Sequence, residues 1–128
     1  LEDLGDDRVL LLSNPYTASE IKAACRHFDF LFTGRMHLMI AALGMGVPSV
    51  AIASQGKFEG LFDHFGLNQS YIITAGLACN KADLERFILA HFYERDKTKE
   101  AILVRLPDVL KLSDRNFSGL EGLPNEKE

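Results

Sequence analysis

Residues 33–60 read TGRMHLMIAALGMGVPSVAIASQGKFEG, and this stretch decides the fold. It divides into a strand end, a glycine turn at Gly34, and an apolar helix from Arg35 or Met36 to Met45. Gly46 stops that helix, Pro48 lies just beyond it, and Ser49–Ala53 follows as a buried strand. A second loop carries Lys57 into another short helix. This succession implies parallel strands joined by helical crossovers. In such a sheet the turns leaving the strand carboxyl ends share one edge, where ligands bind in open α/β folds. Arg35, His37 and Lys57 stand on two neighbouring turns of that edge. Two fixed cations and a titratable imidazole there point to an anionic substrate, a phosphate or a carboxylate.

Working outward, the alternation continues. Val9–Leu12 is a run of four apolar residues, as in a strand covered on both faces. Asn14-Pro15 breaks it. Thr17-Ala18-Ser19-Glu20 has capping-box spacing and predicts a helix from Ala18 to about His27, with Ile21, Ala24, Cys25 and Phe28 at its apolar positions. Phe30–Thr33 and Tyr71–Thr74 are predicted strands, and Lys57–Phe65 is a predicted short helix stopped by Gly66. Asn80 caps a predicted helix over Lys81–Tyr93. A last helical stretch covers Lys97–Leu112, kinked or broken at Pro107. The expected architecture over residues 1–112 is therefore α/β, with a four-stranded Rossmann-like parallel sheet flanked by helices. Residues 113–128, rich in polar residues, Gly and Pro, read as a loose C-terminal tail. The chain begins without Met, inside what resembles a helix end, and so reads as part of a larger domain. An apolar sheet edge uncovered in such a piece is expected to drive self-association.

Composition narrows the function classes. The 128 residues suffice for one domain with one core, and 47% hydrophobic with 25% charged residues is ordinary for a soluble globular protein. A net charge of −4 without a basic patch argues against nucleic acid and anionic membrane surfaces as partners. The apolar run Leu38–Ala53 is interrupted by Gly44, Gly46, Pro48 and Ser49 and falls short of the roughly 18 residues a membrane span needs. Its acidic first residues, LEDLGDDR, do not form a signal peptide. Cys25 and Cys79 lack CxxC spacing and read as buried, reduced thiols of a cytoplasmic protein, with a disulfide left open.

Residues 28–67, FDFLFTGRMHLMIAALGMGVPSVAIASQGKFEGLFDHFGL, resemble the signature region of polysaccharide pyruvyl transferases. The shared features are an Arg-Met-His triplet, an apolar helix, a Gly-x-Pro step, a strand, and a lysine before a helix. The similarity extends more loosely from Val9 to Leu112. It implies the second part of a C-terminal Rossmann-like domain in a two-domain, glycosyltransferase-B-like architecture. Members of that family move a pyruvyl group from phosphoenolpyruvate onto two sugar hydroxyls, forming a cyclic ketal in exopolysaccharide or cell-wall glycan synthesis. By this resemblance His37 is the general acid, while Arg35, Met36 and Lys57 bind the donor. The acceptor is a glycan or lipid-linked glycan. The scheme calls for no metal and no cofactor beyond phosphoenolpyruvate as donor substrate. An arginine and the acceptor half expected from the other domain are absent from this chain, so the isolated piece is expected to be inactive. Where the family carries Tyr-Asp-Pro before its lysine, this chain has Ser54-Gln55-Gly56, which leaves open how Lys57 is aimed.

Each candidate also has a plainer role. His37 could be a partly buried structural residue, Arg35 could bond nearby carbonyls or an acid, and Lys57 could be a solvated lysine at a helix start. Glu59 suits a first helical turn. His27, His64 and His91 show no metal-ligand spacing. The six phenylalanines between Phe28 and Phe65 read as core. Two other functions stay open: a nucleotide-sugar glycosyltransferase domain, for which Gln55-Gly56 and Glu59-Gly60 give a faint glycine-loop match, and a non-catalytic binding module.

Overall fold

A computed structural model of the chain describes residues 6–12, 14–54 and 56–115. Its helices are α1 (Ala18–Cys25), α2 (Met36–Leu43), α3 (Glu59–His64), α4 (Ala75–Ala78), α5 (Lys81–Tyr93) and α6 (Arg95–Arg115). Its strands are β1 (Leu31–Thr33), β2 (Ser49–Ala53) and β3 (Ile72–Thr74). They form one parallel sheet in the order β1-β2-β3, with Phe32 opposite Val50 and Ile52 opposite Ile73. The class is α/β, as the alternation of elements predicts.

Local chemistry sets the element ends. Thr17 and Glu20 form a complete capping box: the Glu20 N–H donates to Thr17 Oγ1 at 3.3 Å, and Glu20 Oε2 accepts from the Thr17 N–H at 2.8 Å. Beyond α2, Gly46 takes φ +75°, which lets the Val47 N–H reach back to the Ala42 carbonyl at 3.0 Å. Asn80 caps α5 by accepting from the Ala82 and Asp83 N–H groups.

The main core joins β2 to the helices around it. Ala51 and Ala53 share a cluster with Met39 and Leu43 of α2, Phe62 of α3 and Ile102 of α6, together with Phe58, Phe65 and Leu67. A smaller cluster of Cys25, Ala42 and Val47 seats α1 against α2. Near β3, the Tyr71 hydroxyl lies 3.1 Å from Thr98 Oγ1, a polar tie from the sheet to α6.

Val9–Leu12 departs from the expected fourth strand. The segment is not a strand, and its four side chains are 48–83% exposed. An apolar run of this kind needs a ladder partner and cover on both faces. Among the described residues it has neither, and Asp6 and Arg8 instead close a local turn ahead of it, with the Val9 N–H on the Asp6 carbonyl at 2.9 Å. A second departure is α6, which runs through Pro107 without a break. Proline there removes a hydrogen bond to the Leu103 carbonyl, but Leu103 is 47% exposed and water can take that bond. Ser113–Arg115 extend α6 into the expected tail, while residues 116–128 lie outside the described residues. Cys25 is buried and Cys79 is exposed; both thiols are free. No helix among the described residues is long and apolar enough to cross a membrane.

Candidate active site

Because the sheet is parallel, β1 and β2 end on the same edge, and the turns after Thr33 and Ala53 leave from it side by side. Gly34 is pressed against β2: a Cβ there would lie 3.1 Å from the Ile52 carbonyl oxygen. Such closeness explains why glycine precedes the triplet. The Arg35 N–H donates to Thr33 Oγ1 at 3.1 Å, and Arg35 takes an extended conformation as the residue that starts α2.

The triplet then splits by burial. Arg35 and His37 are exposed, whereas Met36 is half-buried and packs on the main core cluster. The period of the helix accounts for this, since Met36 and Met39 fall on one side. Met36 thus anchors the first turn of α2, and Arg35 and His37 flank it in solvent. Among the described residues no carboxylate pairs with the Arg35 guanidinium. The first turn of α2 contains no acidic residue.

Lys57 joins the two turns. Its Nζ donates to the Gly34 carbonyl at 3.1 Å, across 23 positions of sequence, and sits 5.5 Å from the centroid of the buried Phe58 ring. An ammonium has three donors, so one on Gly34 leaves two for a ligand. The bond places the Lys57 charge beside the residue preceding Arg35.

Glu59 shapes the loop that bears Lys57. Glu59 Oε1 accepts from the Gly56 N–H at 2.8 Å, and Oε2 accepts from the Phe58 N–H at 3.0 Å. The Gly56 N–H foremost, then its own N–H, hold the Glu59 carboxyl below the usual glutamate range against the opposing effect of burial, with the smallest part from the Phe58 N–H. Its part in the loop was not expected from the sequence beyond a first-turn charge. The available signal was the spacing Gly56-x-x-Glu59, which matches the distance over which an acid reaches back in a capping box. The third turn of this edge was also missed: β3 runs straight into α4, with Thr74 Oγ1 accepting from the Leu77 N–H at 3.4 Å. A four-residue helix is too short to show a period in sequence.

Residues 2–56 match the family model of the polysaccharide pyruvyl transferases. The match supports the family resemblance over the segment that contains Arg35, Met36 and His37, and it ends one residue before Lys57. Pyruvyl transferases are a transferase family. No curated protein and no solved structure matches the chain.

Proposed function

We propose that this chain supplies the donor-binding edge of a polysaccharide pyruvyl transferase, with phosphoenolpyruvate as donor and a glycan or lipid-linked glycan as acceptor. The observation that carries the reading is the Lys57–Gly34 bond, which brings the second cation to the turn that begins Arg35-Met36-His37. The matched family covers that triplet. In this reading Lys57 and Arg35 hold the phosphate and carboxylate, and Met36 fixes the first turn of α2 beneath them. The whole enzyme acts in the cytoplasm, in exopolysaccharide or cell-wall glycan synthesis, and combines this piece with a second Rossmann-like domain.

His37 is the general acid. An imidazole nitrogen can carry a proton and release it to carbon, which is the task of this step. Protonation of the methylene carbon turns the adjacent carbon into an oxocarbenium-like electrophile. One sugar hydroxyl adds there and releases its proton. The second hydroxyl then displaces the phosphate, closing the ketal, and its proton leaves with inorganic phosphate. Lys57 and Arg35 stabilise the departing charge. His37 acts in the transition state, whereas the cations act from the bound state onward.

Isothermal titration of the 128-residue chain with phosphoenolpyruvate, set against a nucleotide sugar, tests the donor assignment. The expected result is selective uptake of phosphoenolpyruvate, weakened by about 1.5–3 kcal/mol in Lys57→Ala, the worth of a charge-assisted bond. Selective uptake of the nucleotide sugar would overturn the reading. In the full-length enzyme, His37→Gln should lower turnover by roughly 10²–10⁴ with little change in donor binding.

A further inference from the structure

We propose that Glu59 is the positioning residue that aims Lys57 across the sheet edge. The proposal rests on the donor-site reading given above and assigns a role to a side chain that reading leaves out. The two oxygens of Glu59 accept from the N–H groups immediately before and after Lys57, at 2.8 and 3.0 Å. One carboxylate thus brackets one residue. Gly56 has φ +85° with open space around it, a conformation that glycine adopts without strain and that turns its N–H toward Glu59. Phe58, fully buried, fixes the other side of the bracket in the core. Between these points the Lys57 backbone is held, and its chain extends to Gly34. Neither Gly56 nor a free loop would direct a flexible four-carbon stem to one carbonyl. This arrangement also accounts for a glycine immediately before the lysine, where the clamp on the Gly56 N–H sets the direction of the chain.

The carboxylate does not occupy the anion site itself. Both of its oxygens are engaged by backbone N–H groups, while Lys57 Nζ, exposed and bonded to Gly34, keeps two further donors. Glu59 acts through Lys57 and touches no substrate in this scheme.

Two readouts on the 128-residue chain test the proposal. Amide spectra recorded with falling pH should show the Gly56 and Phe58 N–H signals titrating together, with a midpoint below the ordinary glutamate value of about 4.3. Glu59→Gln should abolish that titration. At neutral pH, Glu59→Ala should shift the Gly34 carbonyl signal in the same direction as Lys57→Ala, because both release the Lys57–Gly34 bond. Phosphoenolpyruvate binding should weaken about 3- to 10-fold in Glu59→Ala, less in Glu59→Gln, which keeps one acceptor oxygen, and no further in the double variant than in Lys57→Ala. An unchanged Gly34 signal in Glu59→Ala, or additive losses in the double variant, would overturn the proposal. Should the wild-type chain take up no phosphoenolpyruvate, the donor reading fails. The role of Glu59 is then decided by the Gly34 signal alone, altered in its favour and unaltered against it.

Discussion

Val9–Leu12 and Ser49–Ala53 are both short apolar runs bounded by turn residues, and they end in opposite environments. Ser49–Ala53 becomes the central strand, hydrogen-bonded on both sides, with Ser49, Val50 and Ala51 fully buried. Among the described residues Val9–Leu12 pairs with no strand, and Leu10 is 83% exposed. What separates them is the neighbours. Ser49–Ala53 lies between two three-residue strands that pair with it on either side, and under the side chains of α2, α3 and α6. Apolarity fits a segment for a buried strand, but only a ladder and a cover make it one.

Placing a charge in each run gives the largest contrast. Ala51→Asp puts a carboxylate into the main core cluster with no partner, and should leave the chain unfolded or cost several kcal/mol. Leu10→Asp should change stability by no more than about 0.5 kcal/mol. Urea denaturation followed by circular dichroism compares the two. A large loss in Leu10→Asp would show that the first run is covered in solution, and would erase the difference between the segments.

The contrast also marks how far the sequence can be read. The capping box at Thr17, the stop at Gly46, the Asn80 cap and the strand over Ser49–Ala53 were legible, because each rests on residues within a few positions of one another. Four further features depend on distant partners. No local pattern shows that Val9–Leu12 lacks a strand neighbour among the described residues, that water can serve the carbonyl opposite Pro107, that α4 follows β3 at once, or that Cys79 is exposed. At the site, the shared edge of Arg35, His37 and Lys57 followed from parallel pairing. By family resemblance Met36 is a donor-binding residue, and its packing on the core cluster is not legible in the sequence, since a helix apolar on most sides does not announce which residue faces the core. The bond from Lys57 to Gly34 was beyond reach, because it depends on the loop conformation that Glu59 sets.

The next prediction asks what delivers Ser49–Ala53 to its place. Gly46 precedes it with φ +75°, and a Cβ at that position would lie 2.8 Å from Leu103 Cδ2 of α6. Gly46→Ala combines a left-handed conformation with overpacking and should cost about 1–3 kcal/mol. Thermal melting measures it, and Gly46→Ala with Leu103→Ala should recover part of the loss. Without recovery, the cost lies in the backbone alone. Thr17→Ala tests the other region. Removing the box should cost about 1 kcal/mol, because α1 is also seated on α2 through Cys25. A much larger loss, with disappearance of amide protection across α1, would mean that the uncovered run before it weakens the whole N-terminal region.

The smallest effect is a pH dependence that separates two kinds of contact within that N-terminal region. The side-chain hydrogen bond from Arg8, aided by the Arg8 backbone N–H, lowers the Asp6 pKa. The Thr17 backbone N–H, with the Thr17 hydroxyl, lowers that of Glu20. A carboxyl whose folded value is depressed contributes stability above its unfolded value, near 3.9 for Asp and 4.3 for Glu, and loses it as pH falls through the lowered value. Both contacts should therefore be complete at neutral pH and vanish only in strong acid. Salt distinguishes them. The Arg8–Asp6 pair is exposed and ionic, with Nη2 2.6 Å from Oδ2, so added salt should move the Asp6 midpoint back toward its ordinary value. The Thr17–Glu20 bonds run to a neutral backbone and a hydroxyl and should keep the Glu20 midpoint low. Carboxyl signals followed by NMR in low and high salt read both midpoints in one experiment. If the Glu20 midpoint rises with salt as far as that of Asp6, the box is held by charge rather than by hydrogen bonds. The start of α1 would then be no firmer than the turn before Val9.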